Sequence, residues 1–159
     1  MINKQVVLRD PEIRITIKRM VLQIAENYVD ISQLTLVGLN ERGSFLATLI
    51  RNGLNEVLPN LEVGLEQLTV VKDMPASDFK FDHIIIVDDV LNSGKTAFIA
   101  AMACMNAHVL KLETAFLAVR EHRNFPVSAN YVGLSIATTL QDHVLFDNEN
   151  SEDLTVYLQ

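Results

Sequence analysis

Ile84-Ile85-Ile86-Val87-Asp88-Asp89-Val90-Leu91-Asn92-Ser93-Gly94-Lys95-Thr96 passes from apolar to acidic to glycine-bearing within one short stretch. Its first residues are almost wholly apolar and β-branched, the composition of a strand covered on both faces of a parallel sheet. The run stops abruptly at two acids, Asp88 and Asp89. A loop over Asn92 to Thr96 then leads straight into Lys95 to Ala107, whose alanines and methionines predict a helix. A helix start has unpaired backbone amides and the positive end of the dipole, and both attract an anion. Ser93 and Thr96 add hydroxyl donors, Gly94 lets the backbone come close, and Lys95 adds charge. Adjacent carboxylates suit the two hydroxyls of a vicinal diol, so carboxylates beside a phosphate cradle imply a ribose 5-phosphate unit.

Other readings stand beside that one. Ser93-Gly94-Lys95-Thr96 has the closing residues of a nucleoside-triphosphate P-loop, but that motif requires Gly where Asp89 stands. A carboxylate inside such a cradle would repel its ligand. An Asp pair after a strand also suits Mg²⁺, as in phosphoryl-accepting domains, or simply ends the strand with solvated caps.

On the N-terminal side of this stretch, Asp10-Pro11-Glu12 has the form of a helix opening, with Asp10 as the cap. Ile13, Ile17, Met20, Val21, Ile24 and Tyr28 then step by three or four, predicting an amphipathic helix over about 11–29. Leu34 to Leu39 is a short apolar run that predicts a strand, Asn40-Glu41-Arg42-Gly43 a polar turn, and Leu46, Leu49, Ile50 and Val57 a second helix. Residues 61–72 are expected to be extended and 73–82 to be a turn-rich connection. Beyond the central stretch, strands are expected at about 112–119, 131–136, 143–147 and 154–158. Strands alternating with helices argue for an α/β fold with a mainly parallel twisted sheet, its ligand crevice beyond the carboxyl ends of the strands.

The 159 residues match one ordinary domain of about 150 residues, so residues 1–159 are expected to form a single domain. With 49% hydrophobic and 21% charged residues, 6 Gly and 4 Pro, a disordered or collagenous chain is excluded. Cys104 is the only cysteine, which rules out an internal disulfide and a multi-thiolate zinc site. It reads as a small buried thiol in a reducing, cytoplasmic setting. No apolar run approaches the roughly 18 residues of a membrane span, and the first residues lack the pattern of a secretory signal, so no membrane partner is expected. Lys and Arg number 13 against 20 Asp and Glu, a net charge of −7, which is unfavourable for broad nucleic-acid binding. His83, His108 and His143 show no metal-ligand spacing. His122-Arg123 reads equally as a solvated turn or a contact for ligand, partner or RNA.

Val87-Asp88-Asp89-Val90-Leu91-Asn92-Ser93-Gly94-Lys95-Thr96 resembles the phosphoribosyl-pyrophosphate signature of type I phosphoribosyltransferases. The resemblance implies that family's fold, a mainly parallel sheet flanked by helices with a small hood. It also implies roles. Asp88 and Asp89 would hold the ribose hydroxyls, and Asn92, Ser93, Gly94, Lys95 and Thr96 the 5-phosphate. Leu39-Asn40-Glu41-Arg42-Gly43-Ser44 resembles the family's pyrophosphate loop, giving Glu41, Arg42 and Gly43 to the pyrophosphate and Arg42, with the two aspartates, to catalysis. Tyr131, Val132 and Gly133 resemble the hood strand that contacts the base, partly through main chain. Within the family the likeness is to the pyrimidine-operon attenuator and uracil phosphoribosyltransferase group. It runs through His122-Arg123-Asn124-Phe125-Pro126-Val127 and Tyr131 to Ile136, to Asp153-Leu154.

That likeness implies an enzyme using Mg²⁺-bound phosphoribosyl pyrophosphate and uracil to give UMP and pyrophosphate, and it implies a homo-oligomer. Members acting on 6-oxopurines carry Asp where Asn92 stands, and Asn cannot do acid/base work, so a pyrimidine base or nucleotide is expected. The alternative is a nucleotide- or phosphoribosyl-pyrophosphate-binding regulator of pyrimidine gene expression, acting through RNA or a protein partner. Several departures favour it. The family's long mobile loop is shortened to residues 73–82, and an aromatic-Arg-Asp sequence entering it is replaced by Val71-Lys72-Asp73, where Lys lacks the bidentate fork of Arg. An Asp-Arg-Gly-His-Arg segment is replaced by Val119-Arg120-Glu121-His122-Arg123, and a hood lysine by Leu134.

Overall fold

The computed structural model describes residues 4–71, 78–105, 108–139 and 142–159. The elements run β1 (Gln5–Arg9), α1 (Asp10–Asn27), β2 (Gln33–Leu39), α2 (Asn40–Val57), β3 (Glu62–Leu68), β4 (His83–Leu91), α3 (Lys95–Met105), β5 (Lys111–Arg120), β6 (Tyr131–Ile136), β7 (Val144–Asp147) and β8 (Thr155–Leu158). Five strands form a parallel sheet in the order β3-β2-β4-β5-β6, and β1, β8 and β7 form a small antiparallel sheet that makes the hood. The expected α/β architecture with its hood is therefore present, but Tyr131, Val132, Gly133 and Leu134, expected on a hood strand, lie on β6 at the edge of the parallel sheet.

β4 is the central strand, and its apolar run is the reason. Ile85 and Val87 pack into the core that holds α1 and α2, whereas Ile84 and Ile86 pack with Ala100 and Cys104 of α3. Residues alternate across a strand, so only an unbroken apolar run can serve both faces. Ile13, Ile17, Met20, Val21 and Ile24 form the buried stripe of α1, as their spacing predicts. Each such side chain contributes about 1.5–3 kcal/mol through burial.

Chain order positions the site. After β2 the chain crosses through α2 to β3 on one side, and after β4 it crosses through α3 to β5 on the other. The order reverses between β2 and β4, the place where an open α/β sheet leaves a crevice at the strands' carboxyl ends. Gly38 of β2 is in register with Val87 of β4, so Leu39 and the start of α2 come beside Asp88.

Several local expectations are corrected. β4 does not stop at the acids but continues through them to Leu91, because Asp88, Val90 and Leu91 keep their pairing with β5. Asn40-Glu41-Arg42-Gly43 is the first turn of α2 rather than a separate turn. Asp10 lies inside α1, and it is Glu12 that returns a carboxylate oxygen to the Arg9 N–H at 2.9 Å. Asp10 instead accepts from Arg14 Nε at 2.8 Å and from the Leu154 N–H at 3.3 Å, which ties α1 to the C-terminal segment. β1 is an additional strand, paired with β8. Of the expected helix over Lys95 to Ala107, Ala107 lies outside the described residues, as do Lys72 and Asp73.

Candidate active site

Asp88 and Asp89 lie at the carboxyl end of β4, and each uses one oxygen locally. Asp88 Oδ1 accepts the Asp89 N–H at 2.9 Å, and Asp89 Oδ1 accepts the Val90 N–H at 2.8 Å. Asp89 Oδ2 stands 3.8 Å from Nη1 of Arg42 in the first turn of α2. Asp88 is buried, and burial together with the neighbouring Asp89 charge pushes its carboxyl up to about 8. The pair is thus held close enough that charging both is costly. Groups that relieve that cost are a diol donating hydrogen bonds or a cation.

The second wall is the start of α2. A β-carbon on Gly43 would lie 2.5 Å from the Val87 carbonyl oxygen and 3.2 Å from Asp88 Oδ1, so glycine is what lets this turn rest directly on β4. Asn40, Glu41 and Arg42 join Asp88, Asp89, Asn92 and Thr96 around a cleft of about 460 Å³, within the range of small-molecule sites.

The third wall is the turn between β4 and α3. Gly94 has φ +84°, a left-handed conformation that glycine adopts without steric cost. Its carbonyl accepts the Phe98 N–H at 2.9 Å, closing the first turn of α3, and Ser93 Oγ accepts the Lys95 N–H at 3.3 Å. Asn92 to Ala97 with Asp88 and Phe116 surround a depression of about 60 Å³. Asp88, Val90, Asn92 and Thr96 border both this depression and the larger cleft, so the two adjoin.

The structure thus brings together Glu41, Arg42, Gly43, Asp88, Asp89, Asn92, Ser93, Gly94, Lys95 and Thr96. It does not bring Tyr131 to them. The Tyr131 ring is buried with the α1 and α2 core, and its hydroxyl donates to Glu113 at 3.3 Å and accepts from Asn27 at 3.1 Å. The side chain of Tyr131 is core because strand alternation points it to the α1 face of the sheet. The carbonyls of Val132 and Gly133 both accept from the Arg19 guanidinium. Cys104 is buried and its thiol is pushed up to about 11 by burial, consistent with an inert core position. Arg120 donates to Thr138 Oγ1 at 2.8 Å and to the Thr139 carbonyl at 2.9 Å, holding the segment after β6.

Reading the sequence alone misses two contributors. The Ser93 carbonyl accepts the N–H groups of Asn124 at 3.0 Å and Phe125 at 3.1 Å, while the Phe125 ring lies 6.0 Å from that of Phe98 in α3. The β5–β6 connection therefore braces the anion turn from behind. The other is Asn40, whose backbone is left-handed at φ +53°. Asn before a helical run signals the latter, since Asn is among the few residues that adopt the left-handed region; nothing local signals the former.

Among the described residues no cluster of three or more His, Cys, Asp or Glu is arranged to hold a metal. Mg²⁺ characteristically binds through one or two carboxylates plus substrate phosphates, and Asp88 and Asp89 beside the anion turn fit that mode. No helix among the described residues is long and apolar enough to cross a membrane.

Comparison with known proteins agrees with the fold. The family model for the phosphoribosyl transferase domain matches residues 5–147. The chain is 29% identical to the bifunctional protein PyrR of Bacillus mycoides, over 94% of this chain and 93% of that one. The same values hold for the bifunctional protein PyrR of Bacillus anthracis. Among solved structures, the hypoxanthine phosphoribosyltransferase of Trypanosoma cruzi superposes with a TM-score of 0.75 at 21% identity, covering 96% of this chain and 95% of that one. A hypoxanthine-guanine phosphoribosyltransferase of Bacillus anthracis gives 0.69 at 18% identity, covering 87% and 86%. These two show the shared fold.

Proposed function

The chain belongs to the phosphoribosyl transferase family, and on that footing we propose that it transfers the ribose 5-phosphate of phosphoribosyl pyrophosphate to uracil. The C1–oxygen bond to pyrophosphate breaks, pyrophosphate leaves with the bonding pair, and a ring nitrogen of the base bonds to C1 after losing its proton to solvent. The observation that carries the reading is the junction of Asp88 and Asp89 with the Ser93 to Thr96 turn, both opening onto one cleft.

Each wall has a task in that reaction. The aspartates hold the ribose diol, the turn holds the 5-phosphate, and Glu41, Arg42 and Gly43 face the pyrophosphate. Positive charge develops on the sugar as the leaving group departs, and carboxylates fixed nearby stabilise it without reorganising. Rigid seating of both ends of the sugar supplies orientation. Mg²⁺ carried with the pyrophosphate would neutralise its charge, with Asp88 and Asp89 as the carboxylates placed to share it.

Asn92 supports a pyrimidine. It borders both cavities, and an amide there offers hydrogen bonds but no proton exchange with a purine ring. Any base contact from Val132 or Gly133 passes through main chain that Arg19 engages, and Tyr131 supports the strand from the core. A homo-oligomer belongs to the same proposal, and Met102 and Met105 on α3 are exposed apolar residues available to one.

A regulatory reading, binding nucleotide or phosphoribosyl pyrophosphate and acting through RNA or a protein partner, is favoured by Val71-Lys72-Asp73 and the short connection to β4. Pyrophosphate release with Mg²⁺, compared between uracil and hypoxanthine, separates the two. Release dependent on uracil supports the transferase, and UMP binding without release under either base supports the regulator. Titration of a pyrimidine-leader RNA at two salt concentrations tests its RNA branch, since phosphate contacts weaken as salt rises.

A further inference from the structure

Asn40 has a positive φ of +53°, the single such non-glycine residue among those described. Most side chains pay for that conformation, and Asn is among the few that adopt it readily. The Asn40 side chain is engaged as well, because its Oδ1 accepts the Val70 N–H at 3.0 Å. Val70 lies just past the end of β3, so this bond ties the exit of one strand to the first residue of α2. Asn40, Glu41 and Arg42 then line the cleft in succession with Asp88 and Asp89. A residue fixed by its dihedral and by a side-chain tether leaves its successors little freedom to rotate.

We propose that Asn40 is a positioning residue for the pyrophosphate end of phosphoribosyl pyrophosphate, its left-handed backbone and its bond to Val70 together orienting Glu41 and Arg42 toward the leaving group. The inference rests on the phosphoribosyl pyrophosphate reading above and adds a residue to it. It separates two ligands that share a ribose 5-phosphate. Phosphoribosyl pyrophosphate reaches the α2 wall with its pyrophosphate, and UMP has no group there.

The test is equilibrium binding of phosphoribosyl pyrophosphate and of UMP, each with Mg²⁺, to the full chain, three single variants and the double variant Asn40→Gly/Val70→Pro. Asn40→Gly keeps the positive φ but removes the acceptor, Asn40→Ala removes both, and Val70→Pro removes the N–H from the other side. Asn40→Ala is expected to weaken phosphoribosyl pyrophosphate about ten-fold, because the strained backbone relaxes as well as the tether. Asn40→Gly and Val70→Pro are each expected to weaken it about three-fold, the scale of one hydrogen bond, and the double variant to add nothing further. UMP affinity stays within about two-fold throughout and so serves as the folding control. Unchanged phosphoribosyl pyrophosphate binding in Asn40→Ala, or an equal loss of both ligands, overturns the inference. Unsubstituted protein that binds neither ligand overturns the functional reading itself.

Discussion

The Asp88 carboxylate accepts the backbone N–H of Asp89 through Oδ1 at 2.9 Å, while the Asp89 carboxylate turns one oxygen to the next amide and the other toward Arg42. The two acids are therefore seated by their own backbone before any ligand arrives, and the cost falls on Asp88, which is buried. Its carboxyl is pushed up to about 8 in the folded protein, first by burial and then by the Asp89 charge, against about 3.9 in an unfolded chain.

The sign of the resulting pH dependence follows. Between those two values the folded state holds a proton that the unfolded state has released, so stability is greatest below about 4 as far as this group is concerned, and is lost as pH rises through about 8. Asp88→Asn removes the liability. Thermal melts are expected to show the variant's advantage growing from pH 5 to pH 8, at about 2–4 °C per kcal/mol for a domain of this size. At pH 8 and above, where Asp88 is substantially ionised, UMP affinity is expected to fall at least about ten-fold in the same variant, because a charge-assisted hydrogen bond to the diol is lost. A variant destabilised at pH 8, or one that binds UMP normally, contradicts this account.

Gly43→Ala tests the contact between α2 and β4. The added methyl would stand 2.5 Å from the Val87 carbonyl oxygen, which is backbone and cannot swing aside. Relief requires α2 to lift from the strand, at about 1–3 kcal/mol for overpacking. Urea unfolding is expected to show that loss, and phosphoribosyl pyrophosphate affinity to fall with it as the cleft wall moves.

Much of this arrangement is legible in the residues themselves. The apolar run of β4 states that both its faces are covered, the steps of three and four in α1 state which stripe is buried, and the acids followed by Ser93-Gly94-Lys95-Thr96 state where the cleft forms. What stays hidden depends on pairing across long separations. β1 is a short, largely exposed strand that exists because β8, at the other end of the chain, pairs with it. Asn40-Glu41-Arg42-Gly43 has turn-forming residues, yet the packing of Gly43 on β4 draws it into α2. Tyr131 has the composition of a ligand-contacting residue, and its burial is settled by which face of the sheet α1 covers.

The bracing of the anion turn by Phe125 belongs to the same hidden class and gives a direct measurement. Phe125→Ala removes the ring partner of Phe98 while leaving both backbone bonds to the Ser93 carbonyl possible. An aromatic pair is worth about 0.5–1.5 kcal/mol beyond its buried area, so affinity for ribose 5-phosphate is expected to drop by roughly three- to ten-fold. Phe125→Leu, which keeps bulk without the ring, should recover part of it. Unchanged ribose 5-phosphate affinity in Phe125→Ala would show that the turn is held by its own backbone alone.

Arg42 offers the opposite separation, function without stability. Its guanidinium is 51% exposed and 3.8 Å from Asp89, and an exposed pair at that distance contributes about 0–1 kcal/mol. Arg42→Ala is therefore expected to melt within about 4 °C of the unsubstituted protein. Removing a cation that faces the departing pyrophosphate deprives the transition state of charge stabilisation, a loss of about 100-fold or more in turnover. Arg42→Lys restores the charge but not the planar fork, so its turnover is expected between the two. If Arg42→Ala turns over normally, the pyrophosphate does not leave along the α2 wall, and the assignment of Glu41 and Arg42 to that end of the substrate fails with it.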